Sequence, residues 1–108
     1  MILIIGGSHQ GKSAFARQMA KEGDSLVLHY HNTLRQAFQE GKDTDAETRA
    51  LLKQKPDIVT MDEVGCGIVP LERKDRDFRE AAGRAGQMLA KEADAVYRVI
   101  CGIPTRIK

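Results

Sequence analysis

The sequence has few of the residues that mark a nucleic-acid surface, a disulfide scaffold or a metal cluster. Its 108 residues include no Trp, three Phe and two Tyr, and the lysines and arginines do not alternate with these aromatics. With a formal net charge of only +2, a nucleic-acid-binding function is not indicated. The two cysteines, Cys66 and Cys101, are too few for a disulfide framework and lack the spacing of metal ligands. We therefore expect a protein of the reducing cytoplasm.

Long hydrophobic runs are also missing. The apolar run at residues 2–5 is far too short to cross a membrane, and no basic leader precedes it, so we expect neither a membrane span nor a signal peptide. Hydrophobic residues make up 42% and charged residues 30%, as in an ordinary globular protein. At this length we expect a single domain over residues 1–108, small for an enzyme that acts on nucleotides.

The most informative stretch is a P-loop, which follows the apolar run and precedes a helical pattern. It has a glycine, four further residues, and then Gly-Lys-Ser, which is the spacing that cradles a polyphosphate. The candidate nucleotide-binding residues are Gly6, Gly7, Ser8, His9, Gln10, Gly11, Lys12 and Ser13. A chance match in a glycine-rich turn is the alternative, but the strand before the motif and the helix after it both favour a true P-loop.

Each fixed position of the motif has a physical role in holding phosphates. Gly6 and Gly11 permit backbone angles that side chains forbid, so successive N–H groups can curl around an anion. The helix that starts near Gly11 adds unpaired N–H groups and the positive end of its dipole. Lys12 is predicted to reach the β- and γ-phosphates of ATP or GTP, and the Ser13 hydroxyl is predicted to coordinate Mg²⁺.

A second candidate site lies at the end of the predicted third strand, which delivers Asp62 and Glu63. In P-loop proteins a carboxylate at the end of a neighbouring strand holds the shell of the magnesium ion. We therefore predict that Asp62 positions Mg²⁺. The alternative is a strand that simply ends in polar residues.

The order of elements indicates an α/β fold. Apolar runs and helical periodicities alternate, with helices opened by an N-cap at Asn32 and by a capping box of Thr44 and Glu47. The expected strands are residues 2–5, 26–28, 57–61, 95–101 and 105–107, and the expected helices run from residue 14 to Gly23, from Asn32 to Gly41, from Thr44 to before Pro56, and over residues 71–93. This pattern predicts a three-layer αβα domain of the P-loop NTPase kind, with a small and mostly parallel sheet. The carboxyl ends of the strands would then gather the polar candidates at one edge.

Several other residues have both a functional and a structural interpretation. His29 and His31 share a face of an extended chain at the rim of the site, although such residues are more often merely solvated. Among the arginines of the last helix, Arg84 is the strongest candidate for a transition-state cation, in its own site or in that of a neighbouring subunit. The alternative is that it belongs to a solvated helix face, as charged residues on helices usually do. Gly83 and Gly86 inside this helix suggest a close approach by another backbone. Cys66 is interpreted as a small loop residue rather than a reactive thiol.

Three segments together resemble one family. They are the run Glu-Val-Gly-Cys-Gly-Ile-Val-Pro at residues 63–70, the helical segment at residues 78–84 together with Gln87, and the ending at residues 102–108. With the P-loop, they resemble the adenosylcobinamide kinase/adenosylcobinamide-phosphate guanylyltransferase family of cobalamin biosynthesis. The resemblance covers about the first thirty residues and everything from roughly Pro56 onward.

The resemblance implies phosphoryl transfer from a nucleoside triphosphate to a hydroxyl on a corrinoid. Lys12 would hold the phosphates, Ser13 and Asp62 would position Mg²⁺, and Glu63 would orient or deprotonate the attacking hydroxyl. Family members usually have Asn at the positions of Asp62 and Gly86. The family also carries a long central stretch with a nucleotidyl-accepting histidine, and neither His29 nor His31 matches that motif, so guanylyl transfer is not carried over.

Two further readings remain open. The chain could be a nucleotide-binding module without turnover, or a small hydrolytic NTPase that uses the same residues. A shortened sheet exposes edges that invite pairing with another chain, so a homo-oligomer is expected.

Overall fold

The computed structural model describes residues 1–63 and 72–108. The glycine-punctuated loop predicted at residues 64–70, which includes Cys66, and the predicted helix start at residue 71 lie outside the described residues. The elements are β1 (Ile2–Gly6), α1 (Lys12–Met19), β2 (Leu26–Val27), α2 (Tyr30–Gln39), α3 (Thr44–Lys53), β3 (Ile58–Asp62), α4 (Arg73–Glu92), β4 (Ala95–Ile100) and β5 (Ile103–Arg106).

Within the described residues the sheet has the strand order β2-β3-β1-β4-β5, and of these strands only β5 runs antiparallel to its neighbour. The P-loop strand β1 is therefore central, between β3 and β4. Its register pairs Ile2 with Ile58 and Gly6 with Asp62, so the last residue of β1 lies beside the last residue of β3. This pairing brings the P-loop and Asp62 to the same edge of the sheet, as predicted.

Helices cover both faces of the sheet. On one face α1 packs through Ala16 against Ile4, Ile58 and Val99. On the other face α2, α3 and α4 pack against the alternate residues of the same strands, in a cluster that contains Leu3, Leu34, Leu51, Val59, Phe78, Leu89 and Val96. The alternation follows from the two-residue period of a strand that is buried on both sides. The predicted three-layer α/β architecture with a mostly parallel sheet is confirmed.

Three helix boundaries differ from the predicted ones. Helix α1 ends at Met19 instead of continuing to Gly23. Helix α2 begins at Tyr30, and its N-cap is His29 in a left-handed conformation, not Asn32. Helix α3 is capped by Asp43, whose carboxylate accepts hydrogen bonds from the N–H groups of residues 45 and 46, so the predicted capping box at Thr44 was displaced by one residue.

The predicted close approach of another backbone to Gly83 and Gly86 is not found among the described residues. Apart from the neighbouring residues of α4 itself, no described atom lies within 4 Å of where a side chain would begin at either glycine. Both glycines instead line an open groove beside α4.

Candidate functional site

The P-loop leads from the buried end of β1 into the first turn of α1. Gly6 is buried, and a Cβ atom there would lie 2.5 Å from the carbonyl oxygen of Val99. Gly11 caps α1 with a left-handed backbone at φ 97°, and His9 also has a positive φ of 59°. Such alternating backbone conformations let successive N–H groups face one concavity, which suits an anion.

Lys12 is the buried cation of the site, with only 4% of its surface exposed. Its Nζ donates to the carbonyl oxygen of Gly7 at 2.6 Å and pairs with Oδ1 of Asp62 at 2.7 Å. A buried ammonium needs such partners because an unpaired charge away from water is costly. The ammonium group is thus already held between the P-loop and the end of β3.

His31 holds the other side of Asp62. The backbone N–H of Asp62 donates to Nδ1 of His31 at 3.0 Å, and Nε2 of His31 lies 3.2 Å from Oδ2 of Asp62. Burial lowers the pKa of His31 below its usual value, and the Asp62 carboxylate partly opposes that shift. The ring is therefore expected to be neutral at physiological pH.

His29 lies between β2 and α2, opposite the P-loop. Its backbone N–H donates to Oγ1 of Thr60 at 2.8 Å, which ties the start of α2 to β3. Its Nε2 lies 3.2 Å from Oγ of Ser13, and its ring contacts the ring of His31 edge-on at 5.9 Å. The predicted arrangement of both histidines on one face of an extended chain was wrong because His31 belongs to the first turn of α2.

These residues surround a cleft of about 590 Å³ at the carboxyl edge of the sheet. Its lining consists of Ser8, His9, Gln10, Gly11, Lys12, Ser13, Ala14, His29, His31, Asn32, Arg35 and Asp62. Most of the predicted P-loop residues therefore line one cavity together with Asp62. Gly6 and Gly7 shape the loop but are not part of this lining.

The β4–β5 turn supports the P-loop from outside the cleft. Oε1 of Gln10 accepts a hydrogen bond from the N–H of Cys101 at 2.6 Å, and the carbonyl oxygen of Gln10 accepts one from the N–H of Gly102 at 2.8 Å. A Cβ atom at Gly11 would lie 3.3 Å from Cα of Gly102. Nothing in the sequence pattern indicated this contact, because it joins residues 91 positions apart.

Glu63 lies next to the cleft but does not line it. Its carboxylate forms a two-point ion pair with Arg98, at 2.7 Å from Nε and 3.0 Å from the second guanidinium nitrogen. It lines instead the groove beside α4, which has a volume of about 700 Å³ and is mostly apolar. Asp62 lines both cavities.

Arg84 is not brought to the cleft either. Its Nε lies 3.3 Å from Oδ1 of Asp45, so it links α4 to α3 at the surface. The arginine that lines the cleft is Arg35, on α2 one turn after His31. Its guanidinium also lies 4.3 Å from the ring centroid of Phe78. The predicted helix began at Asn32 and so excluded His31. Because α2 begins at Tyr30, His31 and Arg35 are four residues apart on one helix and share a face.

Oxygen ligands of the kind that Mg²⁺ prefers are present at the cleft. The hydroxyl of Ser13 and the carboxylate of Asp62 both line it, and hard cations favour such donors. Among the described residues, no cluster of three or more His, Cys, Asp or Glu side chains could hold a metal ion by itself. This donor set fits a magnesium ion that shares its ligands with bound phosphates.

No helix within the described ranges is long and apolar enough to cross a membrane.

Comparison with known proteins identifies the family. Residues 24–107, about three-quarters of the chain, match the family model described as cobinamide kinase / cobinamide phosphate guanyltransferase. A 51-residue stretch is 49% identical to the bifunctional adenosylcobalamin biosynthesis protein CobU of Salmonella typhimurium and 47% identical to that of Escherichia coli. Each match covers 47% of this chain but only 28% of the relative. The chain therefore belongs to the cobinamide kinase / cobinamide phosphate guanyltransferase family.

Proposed function

We propose that this protein binds ATP or GTP with Mg²⁺ in the P-loop cleft and transfers the terminal phosphoryl group to a hydroxyl of a corrinoid. The observation that carries the proposal is the buried Lys12, held between the P-loop carbonyl of Gly7 and the carboxylate of Asp62. The family membership supports the corrinoid as acceptor, and two relatives carry adenosylcobalamin biosynthesis in their names.

The residues of the cleft would bind the nucleotide mainly by charge and position. The N–H groups of the loop and the positive end of α1 face the phosphates, and Lys12 exchanges one of its present partners for a phosphate oxygen. Ser13 and Asp62 would hold Mg²⁺, which neutralises charge on the phosphates when it is bound. Arg35, on α2, also lines the cleft and adds a second positive charge.

The transfer itself exchanges one bond for another. The bond between the acceptor oxygen and the γ-phosphorus forms while the bond from that phosphorus to the β,γ-bridging oxygen breaks, and the nucleoside diphosphate leaves. The proton of the hydroxyl must pass to a base or to water. Glu63 as this base stays a prediction, and it requires the carboxylate to leave its ion pair with Arg98. Arg84 as a catalytic cation requires a second subunit, because in this chain it pairs with Asp45.

A second candidate function is slow hydrolysis of the nucleotide, or binding without turnover. One observation favours it: among the described residues that line the cleft, Asp62 is the single carboxylate, and it already pairs with Lys12 and His31. A hydroxyl in the cleft would then lack a dedicated base. The predictions of a homo-oligomer and of a cytoplasmic location also stay predictions.

The direct test is phosphate transfer from labelled ATP or GTP with and without adenosylcobinamide. We expect acceptor-dependent formation of the phosphorylated corrinoid and no guanylylated product. Nucleotide binding with equal, slow phosphate release in both reactions would favour the second candidate. Absence of nucleotide binding by the folded protein would contradict both.

A further inference from the structure

His31 contacts two atoms of Asp62, the backbone nitrogen and one carboxylate oxygen, and uses one ring nitrogen for each. Nδ1 faces the backbone N–H of Asp62 at 3.0 Å, and Nε2 faces Oδ2 at 3.2 Å. Because an N–H group can only donate, Nδ1 must accept, which places the ring proton on Nε2 in the neutral ring. That proton points at the carboxylate.

The ring itself is held in place by its surroundings. The His31 side chain is 10% exposed, and the ring of His29 packs against it. The first turn of α2 is fixed to β3, because the His29 N–H donates to Thr60 and the Asn32 N–H donates to the carbonyl of His29 at 2.9 Å. His31 is thus a rigid donor rather than a mobile surface group.

The Asp62 carboxylate is consequently held from two sides. Oδ1 pairs with Lys12 at 2.7 Å while Oδ2 faces His31, so rotation about its last bond would break both contacts. Lys12 is expected to turn towards phosphates when a nucleotide binds. His31 would then be the described contact that still fixes the carboxylate.

We infer that His31 is a positioning residue that orients Asp62 for Mg²⁺ when nucleotide is bound. This inference rests on the proposed function, since it assigns a partner to the predicted magnesium ligand. Groups that hydrogen-bond to a metal ligand typically change metal affinity by about 10- to 100-fold when they are removed. His31 touches neither phosphate nor acceptor in this role, so it acts through Asp62.

Three substitutions separate the two ring contacts. His31→Ala removes both, His31→Asn retains an acceptor near the position of Nδ1, and His31→Gln retains an N–H donor near the position of Nε2. Thr33→Ala, an exposed change in the same turn of α2, serves as the matched control. The readout is binding of a fluorescent nucleotide as Mg²⁺ is titrated, which requires no turnover.

We measure the Mg²⁺ concentration that gives half of the maximal increase in nucleotide affinity. We expect this concentration to rise at least about tenfold in His31→Ala and His31→Asn. His31→Gln should lie close to the unsubstituted protein, as should Thr33→Ala. A structural role alone would instead lower the unfolding midpoint of all three His31 variants and leave the Mg²⁺ dependence unchanged. Nitrogen NMR of the unliganded protein should show His31 protonated on Nε2.

Two results would overturn the inference. One is that the unsubstituted protein and His31→Ala both bind nucleotide with the same dependence on Mg²⁺. That result would contradict the role of His31 but not the proposed function. The other is a His31 ring protonated on Nδ1 in the unliganded protein. Failure of the unsubstituted protein to bind nucleotide at all would contradict the proposed function and this inference together.

Discussion

At the scale of single residues, the site is a set of charges that compensate one another. Lys12 is nearly fully buried and Asp62 is its partner, so the cation that is predicted to bind phosphate is neutralised within the chain. Charge-assisted hydrogen bonds of this kind contribute roughly 1.5–3 kcal/mol each. A phosphate must therefore compete with Asp62 for Lys12, unless a magnesium ion takes up the carboxylate.

This competition gives the first prediction, for Asp62→Asn. Without Mg²⁺ the variant should bind ATP or GTP roughly tenfold more tightly, because a negative charge near the phosphates is removed and Lys12 is released. Addition of Mg²⁺ should raise the nucleotide affinity of Asp62→Asn little further, because the variant lacks the predicted metal ligand. Calorimetric titrations with Mg²⁺ and with a chelator measure both effects. Equal affinities of Asp62→Asn and the unsubstituted protein under both conditions would contradict the assigned roles.

The sequence was sufficient to select candidate site residues where these belong to a fixed motif. Lys12 and Asp62 were predicted because the P-loop and the end of a buried strand have known spacings and known positions in a parallel sheet. His31 and Arg35 could not be assigned in the same way, because their places depend on where α2 starts. That start is set by the left-handed backbone of His29, a non-glycine residue in which such a conformation is uncommon.

At the scale of elements, β1 and the strands beside it set the shape of the P-loop. The four parallel strands were predictable from short apolar runs. The antiparallel β5 was predicted at residues 105–107 but spans Ile103–Arg106, because it follows β4 directly through the tight turn at Cys101 and Gly102. What the runs could not show is that this turn supports Gln10 of the P-loop. Contacts between distant segments depend on the packed sheet and not on local periodicity.

The tight approach of β4 to the P-loop gives the second prediction, for Gly6→Ala. The added Cβ atom would meet the Val99 carbonyl oxygen at 2.5 Å, and backbone cannot yield as a flexible side chain can. We expect a loss of about 3 kcal/mol in the free energy of unfolding.

The matched control is Gly41→Ala, at a positive φ of 74° with no described atom within 4 Å of the new side chain. It should cost only about 1 kcal/mol, from backbone strain alone. Urea unfolding of the two variants measures the difference. Equal losses would mean that Gly6 has no special steric role.

At the scale of the whole molecule, the two faces of the sheet differ in the helices that cover them, and the β5 edge is exposed to solvent. In the part of the chain that the structure describes, one face is covered by α1 and the other by α2, α3 and α4. The edge strand β5 is exposed along all of its four residues, and Ile100, Ile103 and Ile107 are between 52% and 67% exposed. An exposed edge strand with apolar side chains is a template for pairing with another chain.

This edge gives the third prediction, which concerns assembly. Sedimentation velocity over a range of concentrations should show association of the protein with itself, and Ile103→Lys should shift it towards the monomer by placing a charge on the edge. Gln39→Lys, an exposed change on α2, should leave the association unchanged. A monomer at every concentration would remove the support for a homo-oligomer and for any role of Arg84 in a second subunit.

The fold class followed from the alternation of strands and helices, and the structure confirmed it. The same alternation predicted that the P-loop and Asp62 meet at one edge of the sheet, and the pairing of β1 with β3 brings them together there. The position of the Glu63 carboxylate could not be predicted in this way. A strand end predicts which residues reach the carboxyl edge of the sheet, but it does not predict to which of two adjacent cavities a side chain turns. The ion pair with Arg98, 35 residues away, decided that outcome.

A nucleotide site in the P-loop cleft is tested by calorimetric titration of the protein and of its Lys12→Ala variant with ATP and GTP in the presence of Mg²⁺. We expect saturable binding of at least one nucleotide and a loss of affinity of roughly 10- to 100-fold in Lys12→Ala, because charge-assisted hydrogen bonds to phosphate are removed. Lys21→Ala, an exposed lysine just beyond α1, should bind as the unsubstituted protein does. No binding by the folded protein, or an affinity unchanged in Lys12→Ala, would contradict a nucleotide site in the P-loop cleft.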